Sequence, residues 1–360
     1  MRIFAAHLFN DYSGSPKVLM QLIKSWVDDN HEVHLYTCSG REGFLSHLNG
    51  VQYHFYWYSL SSNPYIRLLF LMASQFILMA KILMKLRKDD LVYVNTALPF
   101  GAAIAAKMKG AKLVYHVHET SLKPEIFKSL VFGIMKWSAD HLVFVSDYLA
   151  KEEAIGNIPY TVIHNAIPED FLEESSSYEK EVINQVKHVL MVCSLKWYKG
   201  VNEFLELAKS NPRLEFRLVL NAEEHEIAEY FSKLNVAENI EILSTQTNLH
   251  PHYQWAHIIV NLSRADGWIE TFGLTIIEGM AYGLPAMIPT VGGITELVVD
   301  GTNGYQVDSR NIDRLNNALC KMTDLDHYQY LSNMASQQLN SFRELVFKQK
   351  SRALLELFSK

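Results

Sequence analysis

Two glutamates, Glu270 and Glu278, with seven residues between them, carry the clearest chemical signal in this chain. They bracket Thr271-Phe272-Gly273-Leu274-Thr275-Ile276-Ile277, and the run continues to Gly283-Leu284-Pro285. The interval is too short for a strand, so it reads as a tight loop opening a helix that ends at Gly283, with a strand after Pro285. One carboxylate then precedes the helix and the other lies on its inner side. The N–H groups of Gly273, Leu274 and Thr275 fall in the first turn, where helical hydrogen bonding leaves donors unpaired. Such donors and the helix dipole attract phosphate, while carboxylates accept hydrogen bonds from sugar hydroxyls. Phosphate and sugar together describe a nucleotide-sugar.

Taken singly, each residue has a plainer explanation. Glu278 would be a surface carboxylate on a helix, and Glu270 an acid favoured just before a helix start. Lys199 would be a solvated lysine, and His118 a satisfied core histidine at a strand end. His116 and His118 share one strand face, and His250-Pro-His252 is histidine-rich, but neither comes with enough neighbouring ligands for a metal site. No metal or other cofactor is expected.

These residues need elements to hold them. At 360 residues, 49% hydrophobic and 20% charged, the chain exceeds one ordinary core and is expected to form two domains. A net charge of -6 argues against a nucleic-acid binder. Cys38, Cys193 and Cys320 follow no metal or disulfide spacing and read as core residues of a reducing compartment. Met1–Ala6 enters a strand-like run with no charged-then-apolar leader ahead of it, so the cytoplasm is the expected location.

Short apolar runs alternate with helical patterns, the signature of parallel sheets wrapped by helices. The expected strands of the first half are Arg2–Ala6, Glu32–Thr37, Leu91–Asn95, Lys112–His116 and His141–Val145. Those of the second half are His188–Cys193, Glu215–Leu220, Ile240–Leu243, Ile258–Leu262, Ala286–Ile288 and Gly304–Val307. Helices are expected at Val18–Trp26, Val201–Lys209 and Glu223–Leu234, and from Asn311 to the end. The polar, serine-rich stretch from Glu169 reads as an interdomain connection. Gly14 follows the first strand as in a Rossmann unit. Neither Gly-x-Gly-x-x-Gly nor a Walker-type loop occurs, which disfavours a dehydrogenase or P-loop enzyme.

With those elements placed, the chain resembles the retaining glycosyltransferases of family 4. The resemblance rests on Ser263, the Glu270–Pro285 block, Gly292-Gly293-Ile-Thr-Glu296 and Asp300-Gly-Thr-Asn-Gly-Tyr305. Gly14, His118, Val145-Ser-Asp-Tyr-Leu149, Asn165 and Lys199-Gly200 follow in the family's order. The resemblance implies an α/β GT-B architecture, two Rossmann-like domains with parallel sheets facing across a cleft. The implied division is residues 1–168 for the acceptor, a linker at 169–187, residues 188–341 for the nucleotide-sugar, and a final helix at 342–360 returning to the first domain. It further implies that Lys199, with the donors of Phe272, Gly273, Leu274 and Thr275 and the backbone of Gly14-Ser15, meets the charge on the departing phosphate. Glu270 would hold sugar hydroxyls, Glu278 the ribose, and His118 a donor hydroxyl near the reacting centre. Acceptor-lining stretches would be Asn95–Phe100 and Thr120–Phe127, and base contacts would fall near Leu243–Leu249.

Two departures stand out. The expected glycine pair after the first strand is Gly14-Ser15, and the arginine expected six residues before Gly200 is Ser194, with Lys196 as a possible substitute. Ser194 keeps open a different class: a catalytically silent GT-B subunit that binds or stabilises a partner transferase. An epimerase of the same architecture is disfavoured because its sequence blocks differ. Asp324-Leu-Asp326 matches the Asp-x-Asp string of metal-dependent transferases of the other main fold but reads as a helix-start acidic pair.

Pro64–Lys88 holds Arg67, Ser74, Lys81, Lys85 and Lys88 in a narrow polar stripe on an otherwise apolar helix, with no acidic residue. Its apolar core, Leu68–Ala80, is shorter than the ~20 residues a bilayer span needs. The segment reads either as a sheet-packed helix with snorkelling lysines or as an anchor on anionic lipid. Lys123–Trp137, with Lys123, Lys128, Lys136, Phe127, Phe132, Met135 and Trp137, is a second such stretch. Together they suit a peripheral enzyme with a lipid-linked oligosaccharide acceptor in O-antigen, capsule or exopolysaccharide synthesis.

Overall fold

A computed structural model describes residues 1–178 and 183–359. It divides into two compact units, Met1–Asn165 together with Phe347–Lys360, and Ala166–Val346. The first unit holds a parallel sheet of β1 (Arg2–Ala6), β2 (Glu32–Cys38), β3 (Val51–Tyr56), β4 (Leu91–Asn95), β5 (Lys112–Val117), β6 (His141–Phe144) and β7 (Tyr160–Val162). Its helices are α1 (Gly14–Asp28), α2 (Pro64–Leu83), α3 (Phe100–Lys109), α4 (Glu125–Ser138) and α5 (Asp147–Glu153). Strand order is β3-β2-β1-β4-β5-β6-β7. The central strands are buried on both faces, which is why Ile3-Phe4-Ala5-Ala6 and Leu91-Val92-Tyr93-Val94 are unbroken apolar runs.

The second unit opens with α6 (Glu169–Ser177) and continues through β8 (His188–Ser194), α7 (Val201–Ser210), β9 (Glu215–Asn221), α8 (Glu224–Phe231) and β10 (Ile240–Leu243). It goes on to α9 (His250–Trp255), β11 (Ile258–Val260), α10 (Leu274–Met280), β12 (Ala286–Ile288) and β13 (Gly304–Gln306). Then come α11 (Ile312–Met322) and α12 (Leu325–Gln338), while α13 (Glu344–Glu356) lies from Phe347 onward in the first unit. This sheet is also parallel, in the order β10-β9-β8-β11-β12-β13. Phe204 of α7 meets Phe216 of β9 edge-on at 5.4 Å within its core.

In each unit the strand order reverses at one point, between β1 and β4 in the first and between β8 and β11 in the second. Crevices beyond the carboxyl ends of the strands at such a point are where open α/β sheets bind ligands. Residues just past β1 and β4, and just past β8 and β11, are therefore the ones to inspect.

The structure corrects several expectations. Strands β3 and β7 were not anticipated; both are sheet edges, and β3 is only partly buried, so neither carries a continuous apolar signal. The polar stretch expected as a linker forms α6, whose Pro168 precedes Glu169 and Asp170 in its first turn. Residues 179–182 of that stretch lie outside the described residues. The helix expected to run to Gly283 stops at Met280, and Gly283 takes a left-handed conformation (φ 73°) in the turn that follows. Cys38 is buried and Cys193 half-buried, but Cys320 is exposed. Asp324 accepts the His327 N–H at 2.9 Å as the cap of α12, the helix-start role read from its sequence.

Helix α2 is the largest surprise. Ser74, from its polar stripe, is buried, as are Gln75, Leu71, Leu78 and Ile82. Gln75 accepts the Gly101 N–H of α3 at 3.0 Å, and its amide donates to Ser74 Oγ. The opposite face is apolar and outward: Tyr65, Leu69 and Phe76 are 83%, 65% and 67% exposed. The helix is long and apolar enough to span a bilayer, at 20 residues and a mean hydropathy of 1.8, yet it packs on α3, which packs on α4. In α4, Met135 is core, Lys128 is tied to Glu153 at 2.6 Å, and Lys136 and Trp137 face outward, as does Lys123 just before the helix.

Candidate donor-binding site

Past β8 the chain turns through Lys196 into a 3-10 turn, Trp197–Lys199, with the Lys196 carbonyl accepting the Lys199 N–H at 2.9 Å. Gly200 ends this turn and starts α7 at φ 81°, and any Cβ there would collide with the Leu262 carbonyl beyond β11. That close approach brings the ends of β8 and β11 together. Lys199 Nζ is ion-paired with Glu270 Oε1, and both side chains are mostly buried, 18% and 14% exposed. Ser263, just past β11, donates its hydroxyl to the same carboxylate oxygen at 2.6 Å. Gly292, at φ 111°, allows a second close approach, to the Glu270 carbonyl, which accepts the Ile294 N–H.

Lys199 Nζ also lies 5.7 Å from the Trp268 ring centroid, and Trp268 stacks on Tyr198. Cys193, one residue before the end of β8, has its thiol pushed up to about 12 by burial; Lys199 opposes this and Glu270 adds to it. Burial therefore leaves it a protonated, inert thiol.

Glu270 precedes α10, and Glu278 lies within it, 5% exposed. The Tyr253 hydroxyl of α9 donates to Glu278 Oε2 at 2.6 Å. The Gly273 carbonyl accepts from Ile276 and Ile277, so the helical ladder begins there and the N–H groups of Leu274 and Thr275 precede it. Phe272 does not turn toward this loop: its ring is buried against Phe342 at 5.8 Å, so only its backbone is offered. Ser194 ends β8 half-buried, and Lys196 points into solvent.

The first unit holds its own cluster at its switch point. Asn95, the last residue of β4, donates to the Ser15 carbonyl at 3.1 Å and lies 3.0 Å from His7 Nδ1 past β1. Its side-chain oxygen accepts from His118 Nε2 at 2.9 Å, which fixes the His118 tautomer and leaves Nδ1 the acceptor nitrogen. Gly14 and Ser15 form the first turn of α1, where Asp11 already accepts the Ser13 N–H. His118 is held well below its ordinary pKa by burial, with His116 and His7 adding to the shift. Burial takes His7 down to about 4 and His116 down to about 3. Burial likewise raises Glu119 to about 7, against the hydrogen bond from Ala97 N–H.

A lysine, two glutamates and open helix-start amides at one switch point suit a phosphorylated, hydroxyl-rich ligand. Two family descriptions match the chain: Glycosyltransferase Family 4 over residues 12–171 and Glycosyl transferases group 1 over residues 174–338. The chain belongs to the family 4 glycosyltransferases.

It is similar to the N-acetyl-alpha-D-glucosaminyl L-malate synthase of Bacillus anthracis, 26% identical over 317 residues, covering 81% of this chain and 80% of that one. Among solved structures it resembles a Rickettsia africae glycosyltransferase, with TM-score 0.79, 19% identity, and coverage of 100% and 98%. It also resembles Anabaena HepE in complex with UDP and glucose, with TM-score 0.78, 19% identity, and coverage of 98% and 99%. The fold is therefore GT-B, and the protein is a glycosyltransferase acting on nucleotide-sugars.

Within this glycosyltransferase, Lys199, Glu270, Glu278, Gly273, Leu274, Thr275 and Ser194 gather in the second unit, and His118, Gly14 and Ser15 in the first. Sequence reasoning missed Tyr253, Glu119 and the bridging part of Asn95. None has a spacing signal, because each meets its partner only through the fold.

Proposed function

We propose that this glycosyltransferase is a retaining, metal-independent hexosyl- or deoxyhexosyltransferase. Its donor is UDP- or GDP-linked, and its acceptor is a growing, lipid-linked oligosaccharide of an O-antigen, capsule or exopolysaccharide. It works from the cytoplasmic face of the plasma membrane as a peripheral protein. The observation that carries the donor half is the Lys199–Glu270 pair at the switch point, with Glu278 on the next helix.

Breaking the anomeric bond builds negative charge on the diphosphate and positive character on the sugar. Lys199 and the N–H groups of Leu274 and Thr275 stabilise the first from preorganised positions. Glu270 exchanges its lysine contact for sugar hydroxyls, and Glu278 takes the ribose. A phosphate oxygen accepts the acceptor proton, so no side-chain base is required. His118, kept neutral by burial, offers Nδ1 to a donor hydroxyl. With a lysine rather than a metal answering the phosphate charge, transfer proceeds in chelator. HepE, a fold relative, was solved with UDP and glucose, which supports a uridine donor.

The membrane half rests on the outward apolar face of α2, flanked by exposed Arg67, Lys85 and Lys88, a pairing that suits anionic lipid. Ser194 keeps the silent-subunit alternative open, because Lys196, the residue that could stand in for the expected arginine, is exposed.

Calorimetric binding of UDP, GDP, ADP and their sugar conjugates, in chelator, to wild type and Glu278→Ala separates these readings. One base preferred at least about tenfold, and weakened by the substitution, is the expected result. A folded wild-type protein that binds none would favour the silent subunit.

A further inference from the structure

We infer that Tyr253 is a positioning residue for Glu278, holding its carboxylate in the orientation that reads the ribose of the donor. This inference rests on the donor-site reading above and adds to it a residue outside the motif.

Burial makes the case. Tyr253 is fully buried and Glu278 is 5% exposed, so their hydrogen bond at 2.6 Å forms away from water. Enclosing a carboxylate is costly unless donors meet it, and enclosing a tyrosine hydroxyl is costly for the same reason. Phenylalanine would fill the ring's place equally well, so packing alone does not account for the hydroxyl. Burial and the neighbouring Glu278 charge both raise the Tyr253 pKa well above its ordinary value, so it remains a donor at every working pH.

The ring is itself fixed. Tyr253 stacks on Tyr282 at 5.8 Å with an interplanar angle of 21°, and Phe171 of α6 meets it edge-on at 6.1 Å. His250, at the start of α9, hydrogen-bonds the Tyr282 hydroxyl and pairs with Glu174 of α6 at 3.2 Å. Helix α6 thus braces the residue that aims Glu278. With no exposed surface, Tyr253 cannot touch the nucleotide and acts only through the carboxylate.

The test compares UDP, GDP and ADP with their 2′-deoxy counterparts by calorimetry, on wild type, Tyr253→Phe, Glu278→Gln and the double variant. Wild type is expected to lose about tenfold or more in affinity when the 2′-hydroxyl is removed, the worth of a hydrogen bond to a charged acceptor. Tyr253→Phe is expected to shrink that penalty to threefold or less while the affinity for the deoxynucleotide changes little. A general loss of structure would weaken both ligands together and would overturn the inference. Glu278→Gln removes the buried charge, so the double variant is the safeguard against misfolding: its ratio is expected to equal that of Glu278→Gln. A further change in the double variant, or a full penalty in Tyr253→Phe, overturns the role of Tyr253 while leaving the donor site standing. Wild type binding neither form of any nucleotide overturns the donor-site reading and this inference with it.

Discussion

Lys199 and Glu270 hold each other in a partly enclosed position. In the proposed mechanism a donor separates them, its phosphate taking the ammonium and its sugar the carboxylate. Lys199→Met is expected to lower kcat/KM by about 100-fold or more, the scale of losing one preorganised charge-stabilising donor. A steady-state assay with the preferred nucleotide-sugar checks this; a loss confined to KM would instead mean the ammonium binds ground state and transition state alike. In the first unit, His7 and His116 are neutral when folded but protonate near 6.5 when unfolded. The unfolded chain therefore binds more protons over the window from 6.5 down to about 4 for His7 and about 3 for His116. Stability falls as pH drops through that window, by about 1.4 kcal/mol per pH unit for each histidine. Urea unfolding at pH 7, 6 and 5 measures the slope, and His116→Phe is expected to reduce it by one proton even if the variant is weaker overall.

At the scale of elements, α2 is apolar on both sides: Leu71, Leu78 and Ile82 are buried together with Ser74 and Gln75, while Tyr65, Leu69 and Phe76 face outward. Gln75 is inside because it supplies an acceptor to the start of α3, so the buried amide is satisfied rather than stranded. On the outer face Tyr65, Leu69 and Phe76 remain exposed. Phe76→Glu and Leu69→Glu, both at exposed positions, are expected to abolish cosedimentation with phosphatidylglycerol vesicles and leave nucleotide binding intact. Wild-type protein that remains in the supernatant at low salt would refute the membrane half of the proposal.

At the scale of the whole molecule, the chain's last residues belong to its first unit. Phe347, Leu354 and Leu355 are buried, and Trp26 of α1 donates its indole N–H to Ser351 at 3.0 Å. Arg352 pairs with Asp29 through two hydrogen bonds of 2.7 and 2.8 Å. Truncation after Val346 exposes these apolar surfaces and leaves the Trp26 N–H without its partner. Hydrogen exchange is expected to show amides of β1 and β2 losing protection while those of β8 and β9 keep theirs. Equal loss in both sheets would mean the segment does not belong to one unit alone.

The alternation of buried strands with helices was legible in the sequence because a strand covered on both faces must be apolar throughout, as Leu91–Val94 is. The Glu270–Glu278 block was legible as a loop opening a helix because its short loop, glycine and helix start follow one another along the chain. The edge strands β3 and β7 were not, since half of each faces something other than a core. The facing of α2 was not, since a single helix has two candidate inner sides and only the packing of Gln75 on Gly101 chooses between them. Tyr253 and the three-way grip of Asn95 lay beyond any pattern of spacing. Tyr253 lies 25 residues from Glu278, and Asn95 lies 88 residues from His7 and 80 from Ser15. Sequence determined which residues could do the chemistry; only the folded chain, by closing those distances and excluding water, decided which atoms hold them in place.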